Sequence, residues 1–200
     1  MKTSCSNPSR LALLAVPALL LCAGLAVAHP GHDHAHGGGF AAGLAHPLLG
    51  LDHLLAMLAV GLWSLRQSRA FSLAAPLLAA GGMLLGAGLA WAGFALPGVE
   101  FGIAMSVLLA GVLIAALVKV PAAIGACVVV LFMLFHGHAH ASEMPHGASM
   151  LAYLAGFTLA TLAITYAGRS AGTFLMAREN RILRALGVAI AAAGALFAFG

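Results

Sequence analysis

Long apolar runs, separated by short gaps that hold the charged residues, limit most strongly what this chain can fold into. Of its 200 residues, 62% are hydrophobic and only 7% are charged. A water-soluble domain of this length needs a far more charged surface, so the composition predicts an all-α integral membrane protein embedded in a lipid bilayer. The net charge of +4 is carried in the gaps between apolar runs, which is typical of membrane topology, so we expect no nucleic-acid partner.

The N-terminus has the layout of a secretory signal peptide. Lys2 and Arg10 flank the start of the chain, the apolar run LALLAVPALLLCAGL follows, and AVA precedes His29. A charged region, an apolar region and an A-x-A cleavage site in this order predict a signal peptide over residues 1–28, with His29 as the mature N-terminus. The alternative is an uncleaved first helix.

After residue 28, six apolar runs are long enough to cross a bilayer, which takes about 20 residues of helix. They are residues 40–64, 71–95, 99–118, 121–140, 148–168 and 181–199. We therefore predict a His-rich periplasmic segment over residues 29–39 and a six-helix transmembrane bundle over residues 40–200. A homo-oligomer is compatible with this layout.

The basic residues give the bundle a direction. If the mature N-terminus is periplasmic, every basic residue of the mature chain falls in a cytoplasmic gap, as the positive-inside rule requires. These residues are Arg66, Arg69, Lys119, Arg169, Arg178, Arg181 and Arg184. The sequence thus predicts a multi-pass protein of the bacterial inner membrane with both mature termini in the periplasm.

The segment HPLLGLDHLLAM puts ionisable side chains inside the first predicted span, where they are costly and usually functional. His46 and His53 are seven residues apart, so on a continuous helix they share one face, about 10 Å apart along the axis. Met57 extends that stripe as an auxiliary candidate ligand. Asp52 projects roughly 100° away from His53. It is expected to bind a metal ion or to accept a proton from an imidazole.

A second cluster ends the fourth predicted span, in the segment FMLFHGHAHASEMP. His136, His140 and Glu143 share one face if the helix continues that far, whereas His138 points away and is only an auxiliary candidate. Pro145 is expected to stop the helix.

Together the two clusters predict a metal-binding path in the membrane. The second cluster is expected to lie nearer the outside than Asp52 and His53, so that the two form a descending series. Asp52 is expected to meet the metal ion, or the imidazole of His46 or His136 on a packed helix. Pro47 lacks an N–H group, and interrupted helices of this kind often line transport sites.

The predicted mature N-terminus adds histidines that are expected to collect metal ions. They are His29, His32, His34 and His36. Imidazole and carboxylate ligands without thiolates suit divalent first-row ions such as nickel, cobalt, zinc or copper.

The runs HPLLGLDHLLAMLAVGLW and FHGHAHASEMP resemble the HupE/UreJ family of nickel permeases, and the resemblance extends over the mature chain. It implies secondary uptake of nickel, or of cobalt in some members, that supplies nickel–iron hydrogenase or urease. By position it implies metal-binding roles for His46, Asp52, His53, His136, His140 and Glu143. The chain departs from the family at Ala141, where glycine is common.

We therefore predict a permease for Ni²⁺, with Co²⁺ as the alternative substrate, that has no prosthetic group, is not an enzyme and serves nickel-enzyme maturation. A membrane metalloenzyme or metal sensor, or a structural membrane partner of hydrogenase or urease assembly, stays open. An enzyme would add a nucleophile or general base near the metal, and a sensor would add a cytoplasmic output segment.

Overall fold

A computed structural model of the chain describes residues 39–176 and 180–200, which form α-helices and no strands. In chain order the helices are α1 Gly39–Leu49, α2 Leu51–Ser64, α3 Arg69–Trp91, α4 Val99–Ala115, α5 Ala122–Ser142, α6 Met150–Met176 and α7 Asn180–Phe199. The all-helical prediction is confirmed for this part of the chain. The predicted signal peptide, its cleavage site, the four N-terminal histidines and Arg178 lie outside the described residues.

Helix length decides how many spans the described residues hold. Helices α3, α5, α6 and α7 are each long and apolar enough to cross a membrane. Helices α1 and α2 reach that length only together, with a 79° bend between them, and α4 is shorter, with 17 residues. The described part of the chain therefore holds four spans, or five with the bent pair, and the predicted count of six is not confirmed.

The expectation of one continuous first helix over residues 40–64 is wrong, because the chain breaks at Gly50. Pro47 lies in the last turn of α1, where its ring and its missing N–H weaken the helix. Gly50 is extended, with φ −84° and ψ 111°, and α2 begins at the next residue. Its N–H still donates to the His46 carbonyl (3.3 Å), and its carbonyl accepts from Leu54 N–H (2.9 Å). Backbone hydrogen bonds thus link the break to both half-helices.

Glycines bring the helices together in pairs: α1 and α2 lie along α6, α3 along α5, and α4 along α7. In the α3–α5 pair, a Cβ on Gly86 would overlap the carbonyl oxygen of Leu134, and one on Gly137 would overlap that of Met83. Small residues permit such close approach between membrane helices, where lipid provides no hydrophobic drive for association. The contact holds α5, which carries three histidines, against α3.

We expect Gly86→Ala to lower the free energy of unfolding by about 1–3 kcal/mol, the usual effect of overpacking a close-packed interior. The new methyl group would meet the backbone of α5, which cannot move aside as a flexible side chain can. Gly88→Ala is the matched control on the same helix, because no atom beyond its own stretch of helix backbone lies within 4 Å of its Cβ position. Thermal unfolding of the purified variants in detergent measures the difference, and equal midpoints would contradict the packing argument.

The two ends of the bundle carry different polar groups. At one end, Gln67 joins two helix connections, since its side-chain amide donates to the Val118 carbonyl (2.9 Å) and its side-chain carbonyl accepts from Val120 N–H (3.0 Å). Arg169 on α6 donates from Nε to Ser72 Oγ on α3 (3.2 Å) at the same end. The basic residues of these connections lie here, whereas the histidines of α5 lie toward its opposite, C-terminal end.

Candidate metal site

Four imidazoles form a line of ring contacts that begins at the bundle surface and ends in its core. From the surface inward, the side chains in contact are Glu143, His46, His140, His53, His136 and Ser106. Successive ring centroids along the line are 4.7, 4.6 and 4.6 Å apart. The outermost carboxylate side chain is 50% exposed, whereas the residues His140 and His136 are fully buried.

The helix break at Gly50 brings the histidines of the first motif into one cluster. His46 lies in the last turn of α1, and Asp52 and His53 lie at the start of α2. The ring centroids of His46 and His53 are 6.3 Å apart, which is less than the axial separation of about 10 Å expected on a continuous helix. The C-terminal end of α1 also carries partial negative charge, which favours a cation beside His46.

Asp52 binds its own neighbour in the chain. Its Oδ1 accepts from the backbone N–H of His53 (2.7 Å) and lies 2.8 Å from His53 Nδ1. Because a carboxylate oxygen only accepts, Nδ1 carries a proton, and in the neutral imidazole Nε2 then keeps its lone pair. The imidazole that Asp52 meets is therefore that of His53, not that of His46 or His136. Carboxylates orient metal-binding imidazoles in this way.

Helix α5 and its C-cap carry the candidate ligands of the second motif. The helix ends at Ser142, and Glu143 follows as its C-cap, with its backbone N–H donating to the Ala139 carbonyl. Glu143 Oε2 lies 2.8 Å from His46 Nε2. His140 contacts both His46 and His53, so the two motifs form one cluster. The two motifs thus interleave in one line of contacts, whereas the expected descending series with depth in the membrane stays a prediction.

Several nitrogen atoms of the cluster are buried and have no hydrogen-bond partner among the described residues. They are His53 Nε2, His136 Nδ1, and both ring nitrogens of His140. An unpaired buried polar atom is unfavourable in a low-dielectric interior. Imidazole lone pairs are also the donors that divalent first-row metal ions prefer. When the rings are neutral, three of these four nitrogens carry a lone pair, one on each imidazole, which a divalent ion could take as ligands.

The distances between the rings are close to those in a metal site, although the rings do not have the orientation that a metal site needs. Two imidazoles on one tetrahedral ion have ring centres about 5 Å apart, given metal–nitrogen distances of about 2.0–2.1 Å. Within residues 39–176 and 180–200, no three His, Cys, Asp or Glu side chains are already arranged to hold a metal ion. The contacts are edge-to-face, so the rings have to rotate before several of them share an ion.

Helix α6 supplies two aromatic residues that the sequence analysis missed. The ring of Phe157 stacks on His140 with centroids 5.5 Å apart and an interplanar angle of 8°. Tyr153 lies 6.4 Å from the ring of His46, and its buried hydroxyl has no hydrogen-bond partner in the described part of the chain. Their i, i+4 spacing puts both on one helix face, and this spacing is the only sequence signal by which they could have been found.

The inner end of the line is a serine that the sequence analysis also missed. Ser106 Oγ on α4 lies 2.8 Å from His136 Nε2. The signal in the sequence was a hydroxyl group within the apolar run AMSVLL.

Two auxiliary candidates have described surroundings other than the line of imidazoles. His138 Nε2 lies 2.9 Å from the Phe94 carbonyl, in the connection between α3 and α4. Met57 is fully buried in the apolar core. Neither residue has a described contact with the four imidazoles, and a metal-binding role for them stays a prediction.

Comparison with known proteins identifies the family. A family model described as HupE / UreJ protein matches residues 17–197, which is most of the chain. The chain belongs to the HupE/UreJ family. A HupE/UreJ relative, protein HupE of Rhizobium leguminosarum bv. viciae, is 39% identical over 184 residues, which are 88% of this chain and 94% of the relative. No solved structure matches the chain.

The HupE/UreJ match confirms the resemblance drawn from the two motifs, and all six candidate ligands lie within the matched residues. The residue that departs from the family pattern, Ala141, is buried, and α5 continues through it to Ser142. In this HupE/UreJ protein, alanine at that position therefore leaves the helix beneath Glu143 intact.

Proposed function

We propose that this HupE/UreJ protein carries a divalent transition-metal ion inward across the bacterial inner membrane to supply a hydrogenase or urease. Ni²⁺ is the substrate we propose, with Co²⁺ as the alternative. The observation that carries the proposal is the line of four imidazoles, which leads from a half-exposed carboxylate to a fully buried histidine. The buried nitrogens of His53, His136 and His140 that have no hydrogen-bond partner among the described residues would give a divalent ion its ligands.

The ion would exchange its water ligands for protein ligands one at a time. Glu143 and His46 form the mouth, since both side chains are partly exposed and their functional groups are 2.8 Å apart. His140 contacts both His46 and His53, so it can replace one ligand before the previous one is released. Transport needs binding strong enough to replace hydration and weak enough for release inside. A sequence of overlapping sites meets both needs.

The broken pair α1–α2 fits a transport site in a membrane. Backbone that leaves the helical pattern is tolerated at membrane depth only where it is buried in protein or lines a cavity. We propose that α1 and α2 together make one span. We also propose that α4, which is about 25 Å long, makes a short span, so that the bundle has six spans in total. The end with the basic connections would then face the cytoplasm, and the mature termini and the mouth would face the periplasm.

The transport of nickel is tested by accumulation of radioactive nickel in a bacterial host that lacks its own nickel uptake. We expect cells that make the wild-type protein to accumulate nickel above cells with an empty vector. We expect the His138→Gln variant to do the same, because His138 lies off the line and the glutamine amide can still donate to the Phe94 carbonyl.

The same assay separates a permease from the other classes of protein. A structural partner, a sensor or a metalloenzyme would leave accumulation at the empty-vector level although the protein is present in the membrane fraction. That result would contradict the proposal. Competition by unlabelled cobalt measures whether Co²⁺ uses the same route.

A further inference from the structure

Ser106 contacts two groups at once at the buried end of the imidazole line. Its Oγ lies 2.6 Å from the Ile103 carbonyl oxygen, one turn earlier in α4, and 2.8 Å from His136 Nε2 on α5. Both Ser106 and His136 are fully buried. The serine therefore has two fixed partners and no access to solvent.

The number of protons decides which group donates in each contact. A serine hydroxyl has one proton, and a carbonyl oxygen can only accept, so the hydroxyl donates to Ile103. The second contact then requires Ser106 Oγ to accept, which makes His136 Nε2 the donor. A neutral imidazole has one N–H group, so the lone pair of His136 is on Nδ1. That atom is buried and has no hydrogen-bond partner among the described residues.

We propose that Ser106 is a positioning residue that holds His136 in the Nε2–H tautomer and thereby presents Nδ1 to the transported ion. Metal-binding histidines almost always donate their other ring N–H to a fixed acceptor, which orients the ring. The role toward the ion rests on the proposed function, whereas the tautomer follows from the hydrogen bonds alone.

The neighbouring histidine has the opposite arrangement. Asp52 holds the proton of His53 on Nδ1 and leaves Nε2 free, whereas Ser106 holds the proton of His136 on Nε2 and leaves Nδ1 free. The two rings are 4.6 Å apart. Adjacent imidazoles with fixed and opposite tautomers can each offer a lone pair to one ion without moving a proton.

The tautomer is measurable in the metal-free protein by nitrogen NMR of ¹⁵N-histidine-labelled protein in detergent micelles, with His136→Gln used to assign the signal. We expect the His136 signal of the wild type to report protonated Nε2 and unprotonated Nδ1. We expect Ser106→Ala to mix the two tautomers, because the acceptor is lost. Protonated Nδ1 in the wild type, or the same spectrum in Ser106→Ala, would overturn the proposal.

A binding titration tests the role toward the ion with a matched serine as control. Ser64 is also fully buried and donates to the carbonyl three residues earlier (2.7 Å), but no histidine contact is described for it. We expect Ser106→Ala to weaken Ni²⁺ binding to the purified protein by about 10- to 100-fold, the usual effect of losing a partner of a metal-binding group. Ser64→Ala should bind as the wild type does.

Equal affinities for the two variants would overturn the positioning role. If Ser106→Ala does not fold, the tautomer of the wild-type protein still decides, because protonated Nδ1 on His136 would overturn the positioning role without any variant at Ser106. A wild type with the expected tautomer and tight Ni²⁺ binding but no nickel accumulation in cells would refute transport and leave the positioning role standing. The failure of the two proposals can thus be told apart.

Discussion

Asp52→Asn and His53→Ala are each expected to reduce nickel accumulation to the level of cells without the protein. Asparagine keeps the shape of Asp52 and one acceptor oxygen but removes the negative charge that offsets the cation at membrane depth. Alanine removes the ring of His53, which contacts both His136 and His140 and so joins the outer and inner parts of the line. A loss of about 10- to 100-fold or more is expected, since even indirect partners of a metal ligand have that effect.

These two variants have to be compared at equal protein level. Accumulation of radioactive nickel is therefore divided by the amount of protein in the membrane fraction, and His138→Gln is measured beside them as a histidine variant outside the line. Wild-type accumulation by both Asp52→Asn and His53→Ala would show that transport does not use this site.

His140→Leu is expected to abolish nickel binding and transport and, at the same time, to stabilise the metal-free protein. Both ring nitrogens of His140 are buried and have no hydrogen-bond partner among the described residues. Replacing such a group by an apolar side chain of similar size removes a penalty of about 1–3 kcal/mol. Leucine can also keep the apolar contact with Phe157. We therefore expect a higher midpoint of thermal unfolding together with loss of transport, as is common for residues kept for function.

His138→Leu is the matched control for this prediction, because it lies on the same helix and is also buried. The ring of His138 is paired with the Phe94 carbonyl, and leucine cannot form that hydrogen bond. We expect this variant to lose about 0.5–1.5 kcal/mol of stability, the net contribution of a typical hydrogen bond. Thermal unfolding without added metal measures both effects, namely the expected stabilisation by His140→Leu and the expected destabilisation by His138→Leu. Destabilisation by His140→Leu as large as that by His138→Leu would mean that His140 has a structural role instead.

The candidate ligands could be predicted from the sequence because ionisable groups are unfavourable in apolar spans. Few positions in such spans carry one, so those that do are readily singled out. His46, Asp52 and His53 stood out for that reason, and the structure brings them together with the histidines of α5. The number of spans was harder to predict, because a run of apolar residues does not reveal a break. Pro47 signalled weakness in the helix, but it does not fix the bend at Gly50. The close glycine contacts of α1 and α2 with α6, on either side of the bend, come from helix packing and not from the run itself.

The side-chain contacts of the site depend on how the helices pack against one another. This packing cannot be predicted from the spacing of residues along one helix. The prediction for Asp52 assumed the interior of a helix, where neighbouring side chains point about 100° apart. At the first turn after a break, its carboxylate instead reaches both the backbone and the ring of His53. Ser106 and Phe157 are on helices without a predicted ligand, so only the paired structure relates them to His136 and His140.

The central claim is that this chain alone moves the metal ion through the line of histidines. Its most direct test is nickel entry into lipid vesicles that contain only the purified protein and a trapped, nickel-sensitive dye. The dye binds the nickel that enters, so the concentration gradient of free nickel into the vesicle stays steep and no cellular energy source is needed. We predict a saturable dye response with the wild type and none above protein-free vesicles with His53→Ala. A wild-type response equal to that of His53→Ala or of protein-free vesicles would contradict the claim.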